Sequence, residues 1–517
     1  MRDRAALVLA TALATSCGAA AHPAEREAPP ERLSYVVHLD DALRAMRVTV
    51  CPARAERLPS ALDATSEEAR RHVRGGRLVI DGRDGAVLDA LPFDLRSAPP
   101  DACVRYDVDL GACDAPTSST DCARLGSDLF APAATWLLAP ALRSTRAHYD
   151  LRFELPEGVH ATPIGEAEAL DPSRVVLDER NFAFVTYLAF VHDAPRTIEA
   201  PGACIDLVSL GEVPLGASFD AQAHWLRAAT SASARVTGAP PFDRLTALVV
   251  TAPDVPSMPV LFGVAGRGQR STVTLFVSQH ASEASLVADW TAVHELSHFL
   301  TAHVENEDVW LSEGLATYYE EVLRAREGTR TETQAWEALV DGFDRGRTAH
   351  DAAEPLDEVC RTMRVTRSFT RVYWEGAALV FLADVAYRRT GSSLDEAVAR
   401  AWPHRGERTS AAQLIAWLDG ADDGVFARIA REGLASRSFP DVESALAWLG
   451  VTRQAGRIVL SDEAPGAEAR RALMNGVAPA TSNPVRCPAA SREAAAEESD
   501  EAGLPLRNHV HNVRVPA

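Results

Sequence analysis

The stretch HELSHFLTAHVENEDVWLSEGLATYYEE, residues 294–321, has two histidines four positions apart and a glutamate fifteen positions after the second. Positions four apart on an α-helix lie about 40° from each other around its axis and ~6 Å apart along it. Apolar residues recur around the histidines at helical spacing, namely Val287, Trp290, Val293, Leu296 and Leu300. The sequence therefore predicts a buried helix that carries His294 and His298 on one face.

The residue types in this stretch are those that bind a catalytic zinc ion. Such an ion takes three protein ligands, often two His and one Glu, and keeps a fourth position open. His294 and His298 supply two ligands, and Glu313, on a second predicted helix, is the candidate for the third. Glu295 flanks the histidines, where its carboxylate can reach the attacking water. Thr317 lies one turn after Glu313, where its hydroxyl could hold that carboxylate in position.

Each of these assignments has a plainer alternative. The two histidines could be polar residues of an amphipathic helix, because His-Glu-x-x-His arises by chance in roughly one chain in thirty of this length. Glu313 could be a solvated charge at a helix start, where its sign suits the helix dipole. His303 is another candidate for the third ligand. The pattern that would use such a histidine requires Gly and His where this chain has Thr301 and Val304.

Several segments resemble the gluzincin metallopeptidases. HELSH followed by WLSEGLATYYE is similar to the paired signature of the aminopeptidase-N and glycyl-aminopeptidase families. Fourteen residues separate His298 from Glu313, against eighteen in the aminopeptidase-N pattern, which indicates a shortened loop. The likeness is closer to the glycyl-aminopeptidase family, through three further segments: WLLAPALRSTRAHYDLRFELPEG (136–158), RVYWEGAALVFLADVAYRRTGSSLDEAVARAW (371–402) and VESALAWLGV (442–451).

The resemblance implies a thermolysin-like, peptidase MA-like catalytic domain with one Zn²⁺. It implies His294, His298 and Glu313 as metal ligands, Glu295 as general base and Tyr373 as a donor to the transition-state oxyanion. By periodicity alone, Tyr373 would be a core residue of an apolar helix.

The substrate specificity stays open. The Gly-rich segment FGVAGRGQRSTVTLFV, residues 262–277, has no acidic residue where the aminopeptidases of these families carry a glutamate for the free amine. Both endopeptidase and aminopeptidase activity therefore remain possible. The alternatives to a zinc metallopeptidase are a surface lipoprotein that binds a partner and has a structural or vestigial zinc site, and a hydrolase of a non-peptide substrate on the same scaffold.

The amino terminus, MRDRAALVLATALATSCGAA, is typical of an export signal. Two arginines precede an apolar run that is too short to span a bilayer. The small residues before Cys17 resemble the lipobox of bacterial lipoproteins, although Leu13 lies four rather than three positions before the cysteine. We therefore expect a signal peptide with lipidation at Cys17, and a bacterial lipoprotein on the cell envelope, at the outer membrane or periplasmic face. The alternative is an ordinary signal peptide and a secreted protein.

The pattern along the chain predicts an α+β protein with several parts. Residues 1–17 are the signal peptide and lipobox, and residues 18–31 a polar linker. Short β-rich runs between turn signals at 32–205 predict an antiparallel β-sandwich. Two strands and long helical patterns follow at 206–451, which the resemblance implies is the catalytic domain, of mixed sheet and helices. The segment 452–517 is mostly low in complexity and is predicted to be disordered.

Composition and cysteine content indicate which kinds of binding partner to expect and whether the protein contains disulfides. The net charge of −20 over 517 residues argues against a nucleic-acid partner, so we expect a peptide or protein substrate, with membrane contact only through the lipid anchor. Seven cysteines follow Cys17 without a C-x-x-C pair, which predicts disulfides. The favoured pair is Cys113 with Cys122. The odd count leaves at least one thiol over.

Overall fold

The computed structural model describes residues 32–476, except 54–55, 117–120, 143, 145–146, 163–165, 169–170, 179–186, 212–216, 253–257, 268–270, 351–353 and 422, together with Cys487. The predicted signal peptide and linker lie outside the described residues, and so does Cys17.

Residues 32–191 form three β-sheets and two short helices, α1 (Glu67–His72) and α2 (Ala133–Trp136). The strands are β1 (Arg32–Leu39), β2 (Ala45–Pro52), β3 (Ala61–Ala64), β4 (Val73–Ile80), β5 (Arg83–Leu88), β6 (Phe93–Asp94), β7 (Cys103–Asp109), β8 (Ala123–Leu125), β9 (Asp128–Phe130), β10 (Leu138–Pro140), β11 (His148–Glu154), β12 (His160–Ala161), β13 (Glu166–Glu168), β14 (Asp171–Asp178) and β15 (Ala189–Val191).

The largest of these sheets has eight strands in the order β13-β14-β11-β1-β2-β7-β4-β5. Burial alternates in β1, β2, β7 and β11, for example in β1, where every second side chain from Leu33 to Leu39 is buried. The prediction of purely antiparallel pairing is wrong at one place, because β1 and β11 run parallel. Alternation reports which face of a strand is buried and carries no information on the direction of its neighbour.

A second, five-stranded sheet follows, in the order β16-β17-β18-β20-β19. Its strands are β16 (Arg196–Ala200), β17 (Ala203–Leu210), β18 (Arg244–Ala252), β19 (Val260–Gly266) and β20 (Ser271–Ser278). The three central strands are parallel and almost continuously buried, whereas β16 and β19 pair antiparallel at the two edges. The predicted domain boundary at 205 falls inside β17, so a division before β16 would fit the pairing better. The division into domains stays a prediction.

The rest of the chain is mainly helical. The helices are α3 (Phe219–Ala234), α4 (Glu283–Ala288), α5 (Thr291–Ser297), α6 (Val309–Arg326), α7 (Glu332–Ala349), α8 (Leu356–Thr366), α9 (Phe369–Arg389), α10 (Leu394–Ala401), α11 (Ala411–Asp419), α12 (Val425–Ala435), α13 (Glu443–Leu449) and α14 (Ala467–Asn475). The remaining strands are β21 (His303–Val304), β22 (Arg408–Thr409), β23 (Val451–Gln454) and β24 (Arg457–Leu460). In the described part of the chain, no helix combines the length and the apolar character needed to cross a membrane.

The five-stranded sheet separates two hydrophobic cores. Ala247 and Val249 of β18 belong to the core that the helices share. Leu248 and Val250, on the opposite face of the same strand, belong to the core of the N-terminal sheets. A β-rich first part followed by a mixed sheet with helices is therefore confirmed, while the finer arrangement as a sandwich and a catalytic domain stays a prediction.

Helices α6 and α9 cross with their backbones in contact. A Cβ on Gly314 of α6 would lie 2.5 Å from the carbonyl carbon of Gly376 in α9, and one on Gly376 would meet the carbonyl oxygen of Trp310. Only glycine leaves room for so close an approach. This crossing brings Glu313, beside Gly314, toward Tyr373, one turn before Gly376.

The predicted disordered tail is wrong for residues 452–475. The strands β23 and β24 form a hairpin there, and α14 follows with Leu473 and Arg470 buried. The composition of this segment did not indicate a helix, because two of its four buried residues are the small Ala467 and the charged Arg470. Most of the segment after Gly476 lies outside the described residues.

Three disulfides join the described cysteines: Cys51–Cys103, Cys113–Cys122 and Cys204–Cys487. The favoured pairing of Cys113 with Cys122 is confirmed. Cys360 is a free, buried thiol, as the odd count required of one cysteine.

Candidate metal centre

The first ligand helix is short and wholly buried. The Asp289 side chain accepts a hydrogen bond from the Thr291 N–H at 2.7 Å and so starts α5, and burial raises the pKa of Asp289 to about 6. All residues of α5 are buried, and a 3-10 turn, His298–Leu300, continues from it. His294 lies in the helix and His298 begins the turn, and both side chains still point the same way.

The three predicted ligands meet at one place. The Nε2 atom of His294 lies 3.3 Å from Oε2 of Glu313, and the Nε2 atom of His298 lies 3.7 Å from the same oxygen. One ligand atom from each of the three side chains lies within 4.8 Å of the others. His303, the other candidate ligand, lies in β21 and does not belong to this group.

The outer nitrogens of both histidines are held by side chains of α6. The Nδ1 atom of His294 lies 2.7 Å from Oε2 of Glu320, and the Nδ1 atom of His298 lies 3.1 Å from the Ser312 hydroxyl. A partner on Nδ1 leaves Nε2 to face a metal and fixes the orientation of the ring. Sequence reasoning missed Glu320, although its position two turns after Glu313 places both carboxylates on one face of α6.

The predicted partner of Glu313 makes no such contact. Thr317 is buried, and its hydroxyl has no hydrogen-bond partner among the described residues. The proposed role of this residue in holding the Glu313 carboxylate therefore has no contact to support it. The carboxylate that orients a ligand belongs to Glu320 instead, and it acts on His294 rather than on Glu313.

The protonation of the cluster reflects its burial and its carboxylates. Burial lowers the pKa of His298 to about 4, which favours the neutral imidazole that metals bind. Burial also opposes protonation of His294, but Glu313 and Glu320 outweigh it and raise the pKa of His294 well above its usual value. Burial would raise the pKa of Glu313, yet the facing histidines hold it below the ordinary range. The buried carboxylates thus favour a cation between them.

Glu295 belongs to α5, and its side chain lies against the edge strand β19. A Cβ on Gly263 of β19 would lie 2.5 Å from Cγ of Glu295, so glycine is needed there for the glutamate to lie against the strand. Burial raises the pKa of Glu295 to about 7, and Glu313 adds to this effect while His294 opposes it. Only 7% of the surface of Glu295 is exposed, so the residue lies inside the site rather than in solvent.

Tyr373 approaches the same place from α9. Its ring lies nearly parallel to that of His294, with the centroids 6.0 Å apart and the planes at 15°. Burial raises the pKa of Tyr373 well above its usual value, and the carboxylates of Glu313 and Glu295 raise it further. The phenol therefore keeps its proton and can donate a hydrogen bond.

A partly buried arginine follows the edge strand beside the site. Arg267 follows β19, and its guanidinium donates to the Thr301 carbonyl at 2.7 Å and to the Arg405 carbonyl at 3.0 Å. Burial lowers the pKa of Arg267 to about 9. Its positive charge reaches the metal-site residues, because it contributes to lowering the pKa of His298. Sequence reasoning missed this position, because a single arginine in a Gly-rich segment is common.

The connection between the two ligand helices is tied to a distant part of the chain. The strand β21 pairs in parallel with β22, and the Glu305 N–H donates to the Thr409 carbonyl at 3.1 Å. The Asp308 side chain accepts from the Ala411 N–H at 2.8 Å, at the start of α11. These contacts hold the short loop that the sequence spacing predicted.

The donor set fits zinc. Two imidazole nitrogens and one carboxylate oxygen are the three protein ligands of a catalytic zinc of the His₂Glu type. Among the described residues, three ligand side chains form this group, which leaves a fourth position for water or substrate.

A comparison with one solved structure supports the fold. The chain is similar to an aminopeptidase N family protein from Idiomarina loihiensis, with a TM-score of 0.58 and 15% identity over 82% of this chain and 79% of that one. An M1 zinc metallopeptidase from Deinococcus radiodurans aligns with a TM-score of 0.46 and 16% identity, over 80% of this chain and 94% of that one. A variant of that enzyme has been solved with a Tyr-Ser-Ala substrate.

No protein-family model matches the sequence, and no curated protein matches it. The likeness to the glycyl-aminopeptidase family therefore stays a prediction. The fold of this chain is similar to that of an aminopeptidase N family protein.

Proposed function

We propose that this protein is a zinc-dependent metallopeptidase that hydrolyses peptide bonds. The observation that carries the proposal is the convergence of His294, His298 and Glu313, with Glu295 and Tyr373 facing the same place. A structural metal site needs neither a free carboxylate nor a phenol beside its ligands, whereas a hydrolytic site uses both.

The two imidazoles and the Glu313 carboxylate would hold the zinc ion. When bound, zinc lowers the pKa of water from 15.7 toward ~7 and polarises a carbonyl group. Glu320 and Ser312 keep the two imidazole rings in orientation through their Nδ1 atoms. The ligands thus need little rearrangement for binding.

Glu295 is the general base in this proposal. Its carboxylate takes a proton from the attacking water and returns it to the leaving amine nitrogen. The strand β19 presses against its side chain at Gly263 and fixes the direction of the carboxylate. The Tyr373 hydroxyl donates a hydrogen bond to the oxyanion of the substrate carbonyl, an interaction worth ~3–4 kcal/mol when a single donor is lost.

The substrate would bind along β19. This strand is at an edge of the five-stranded sheet, so an extended peptide could pair with it as an added strand. Arg267, a partly buried cation, follows the strand, and the segment 262–267 has no carboxylate that would pair with an ammonium group. We infer that a free amino terminus is not required and that the enzyme cleaves as an endopeptidase.

Glu295→Gln tests the role of the general base. The variant should retain bound zinc, measured by atomic absorption, because Glu295 is not a ligand. Its peptide hydrolysis should fall by about 10²–10⁴-fold, the usual contribution of general base catalysis. Retained hydrolysis would refute the assignment of the base. Tyr373→Phe is the companion variant, with an expected loss of about 10²–10³-fold in kcat.

Paired peptides test the substrate class. A peptide library with free amino termini is compared with the same library after acetylation, and the cleavage positions are read by mass spectrometry. Internal cleavage at similar rates in both libraries supports an endopeptidase. Cleavage confined to the first bond of free peptides would show that an amine is recognised after all.

The two alternatives separate by the same assays. A binding module with a structural or vestigial zinc site would bind zinc without chelator-sensitive hydrolysis. A hydrolase of a non-peptide substrate would leave the peptide library intact while Glu295→Gln abolished its activity on ester or amide model compounds. The position of Glu295 and Tyr373 favours the peptidase over the binding module.

We further propose that the protein is exported and anchored through lipidated Cys17. The three disulfides support an oxidising compartment. Cys17→Ser should abolish incorporation of a labelled fatty acid and release the protein from the membrane fraction. Unchanged membrane association would contradict an anchor at Cys17.

A further inference from the structure

A second group of metal-ligating atoms lies far along the chain from the metal centre, in the N-terminal part. His72, at the end of α1, and the cysteines Cys113 and Cys122 are all buried, and one ligand atom from each lies within 4.8 Å of the others. The two cysteines form a disulfide. Within the described residues, the Cys51–Cys103 and Cys204–Cys487 pairs belong to no such three-ligand group.

The hydrogen bond of His72 fixes which of its nitrogens faces the sulfur. The Nδ1 atom lies 2.6 Å from the Asp109 carbonyl oxygen, which can only accept, so Nδ1 carries the proton and donates. In the neutral ring, Nε2 then presents its lone pair, and it lies 3.7 Å from Sγ of Cys122. A backbone carbonyl on one ring nitrogen and an aimed lone pair on the other is the arrangement of a metal-binding histidine.

The distances suit a tetrahedral ion. With Zn–S bonds of ~2.3 Å and Zn–N bonds of ~2.0 Å, a sulfur and a nitrogen ligand of one zinc lie ~3.5 Å apart. The 3.7 Å between Nε2 of His72 and Sγ of Cys122 is close to that separation. Two sulfurs bonded to each other offer no thiolate, so the pair can bind zinc only after reduction.

We propose that His72, Cys113 and Cys122 form a zinc site when the Cys113–Cys122 disulfide is reduced. The reductant is a dithiol, which gives two electrons and two protons to the disulfide and becomes a disulfide itself. The S–S bond breaks and two thiols form. Zinc binding then releases both thiol protons and leaves two Zn–S bonds and one Zn–N bond, with a water molecule as fourth ligand.

Glu68 supplies negative charge beside this site. Its Oε1 atom accepts from the Cys122 N–H at 2.8 Å and from the Thr135 hydroxyl at 3.2 Å. These two bonds hold the Glu68 carboxylate beside Cys122, where its charge would attract a divalent cation. Glu68 therefore favours a bound cation without being one of the three ligands.

The test uses the full-length protein, a phosphine reductant and Co²⁺ as the probe. Bonds between thiolate and Co²⁺ give a charge-transfer absorption in the near ultraviolet, which a site of two histidines and a glutamate lacks. The reduced protein should show this absorption with about one equivalent of Co²⁺ bound through sulfur, and the oxidised protein should not. Absence of the absorption in reduced, folded protein overturns the proposal.

Variants assign the signal to this site. His72→Ala and the double change Cys113→Ser with Cys122→Ser should remove the absorption, while Cys51→Ser with Cys103→Ser should keep it. Glu68→Gln should keep the absorption and weaken Co²⁺ binding by about tenfold, as expected when a neighbour of a ligand is changed. A signal that survives loss of Cys113 and Cys122 comes from other thiols and refutes the assignment.

A second measurement does not depend on any variant. The reduced protein is alkylated with and without two equivalents of Zn²⁺, enough to fill both this site and the His294–His298–Glu313 centre, and each cysteine is quantified by mass spectrometry. Zinc should protect Cys113 and Cys122 while Cys51 and Cys103 react as before. Equal alkylation of both pairs contradicts the proposal, and so does loss of the far-ultraviolet circular dichroism on reduction, because the site requires the native position of His72.

Discussion

The structure adds Glu320 to the residues of the candidate metal centre. Its carboxylate accepts the hydrogen bond from Nδ1 of His294 at 2.7 Å. Glu320→Gln keeps an oxygen acceptor and removes the charge, so zinc affinity should fall by about tenfold. Competition with a chelator of known affinity measures the change. Glu307→Gln, in an exposed position of the loop between the ligand helices, is the matched control and should bind zinc like the parent. Equal affinity in both variants would contradict the role of Glu320.

Gly263 determines where the side chain of Glu295, the proposed general base, points. Gly263→Ala places a methyl group 2.5 Å from Cγ and 3.0 Å from Cδ of Glu295, so the carboxylate must move. Misplacing a catalytic group by about 1 Å can reduce the rate ~10²-fold, and we expect a loss of that size in kcat with zinc content unchanged. Gly75→Ala in β4, whose methyl group would meet only the Leu88 carbonyl oxygen at 3.6 Å, should retain full activity. A Gly263→Ala enzyme as fast as the parent would disprove the packing argument.

Sequence reasoning predicted those site residues that a local spacing determines. His294 and His298 lie one helical turn apart, and Glu313 lies near the start of α6, so their types and positions were sufficient. Glu320 shares the face of Glu313, but a glutamate two turns along a helix is also common on solvated surfaces. Arg267 comes close to the site through a hydrogen bond to the Thr301 carbonyl, a contact that no spacing in the sequence reports.

At the level of the elements, the contact between α6 and α9 links stability to the site. Gly376→Ala would force a methyl group into the Trp310 carbonyl and push the helices apart. Overpacking of this kind costs about 1–3 kcal/mol of unfolding free energy, and the shift of Glu313 relative to Tyr373 should lower kcat as well. Urea unfolding and peptide hydrolysis give the two quantities.

A variant in the same helix separates these two effects. Ala386→Gly, at a partly exposed position of α9, should cost about 1 kcal/mol through helix propensity alone and leave kcat unchanged. If Gly376→Ala lost only stability and kept its activity, the crossing would not position the site.

Periodicity predicted whether most elements are helices or strands. It did not predict where a helix is interrupted or in which direction two strands pair. The apolar pattern around His294 continues through residues 284–303, whereas the structure divides it into α4, α5 and a 3-10 turn. Asp289 interrupts the helix by accepting the Thr291 N–H, an interaction that a count of apolar positions does not register. The parallel pairing of β1 with β11 was missed because each strand alone reads the same in either direction.

At the scale of the whole molecule, one disulfide closes most of the helical part into a loop. Cys204 of β17 and Cys487 are 283 residues apart in sequence. Removing a native disulfide typically costs about 2–5 kcal/mol, so Cys204→Ala with Cys487→Ala should lower the midpoint of thermal unfolding. Cys360→Ala, which removes a buried thiol and no cross-link, is the control and should shift the midpoint less. A double variant as stable as the oxidised parent would show that the cross-link contributes nothing.

The division of the whole chain was the least accessible to sequence reasoning. The strand β17 pairs with β16 on one side and β18 on the other, and only this pairing shows that the sheet begins before residue 205. The segment 452–475 looked disordered because its composition is rich in small and charged residues, yet Arg470 is buried and donates to the Ser461 carbonyl at 2.7 Å. Long-range contacts of this kind depend on the assembled fold.

The pairing of β21 with β22 means that the signature stretch is not a self-sufficient unit. A fragment that ends before Arg408 would contain all three ligands, the base and Tyr373, but its interhelical loop would lack the backbone partners that residues 408–411 supply. A peptide with only the motif and its neighbouring helices would therefore contain the site residues, but its interhelical loop would lack hydrogen-bond partners. For engineering, the smallest segment that can be moved to another protein must therefore include residues 408–411 as well as the motif.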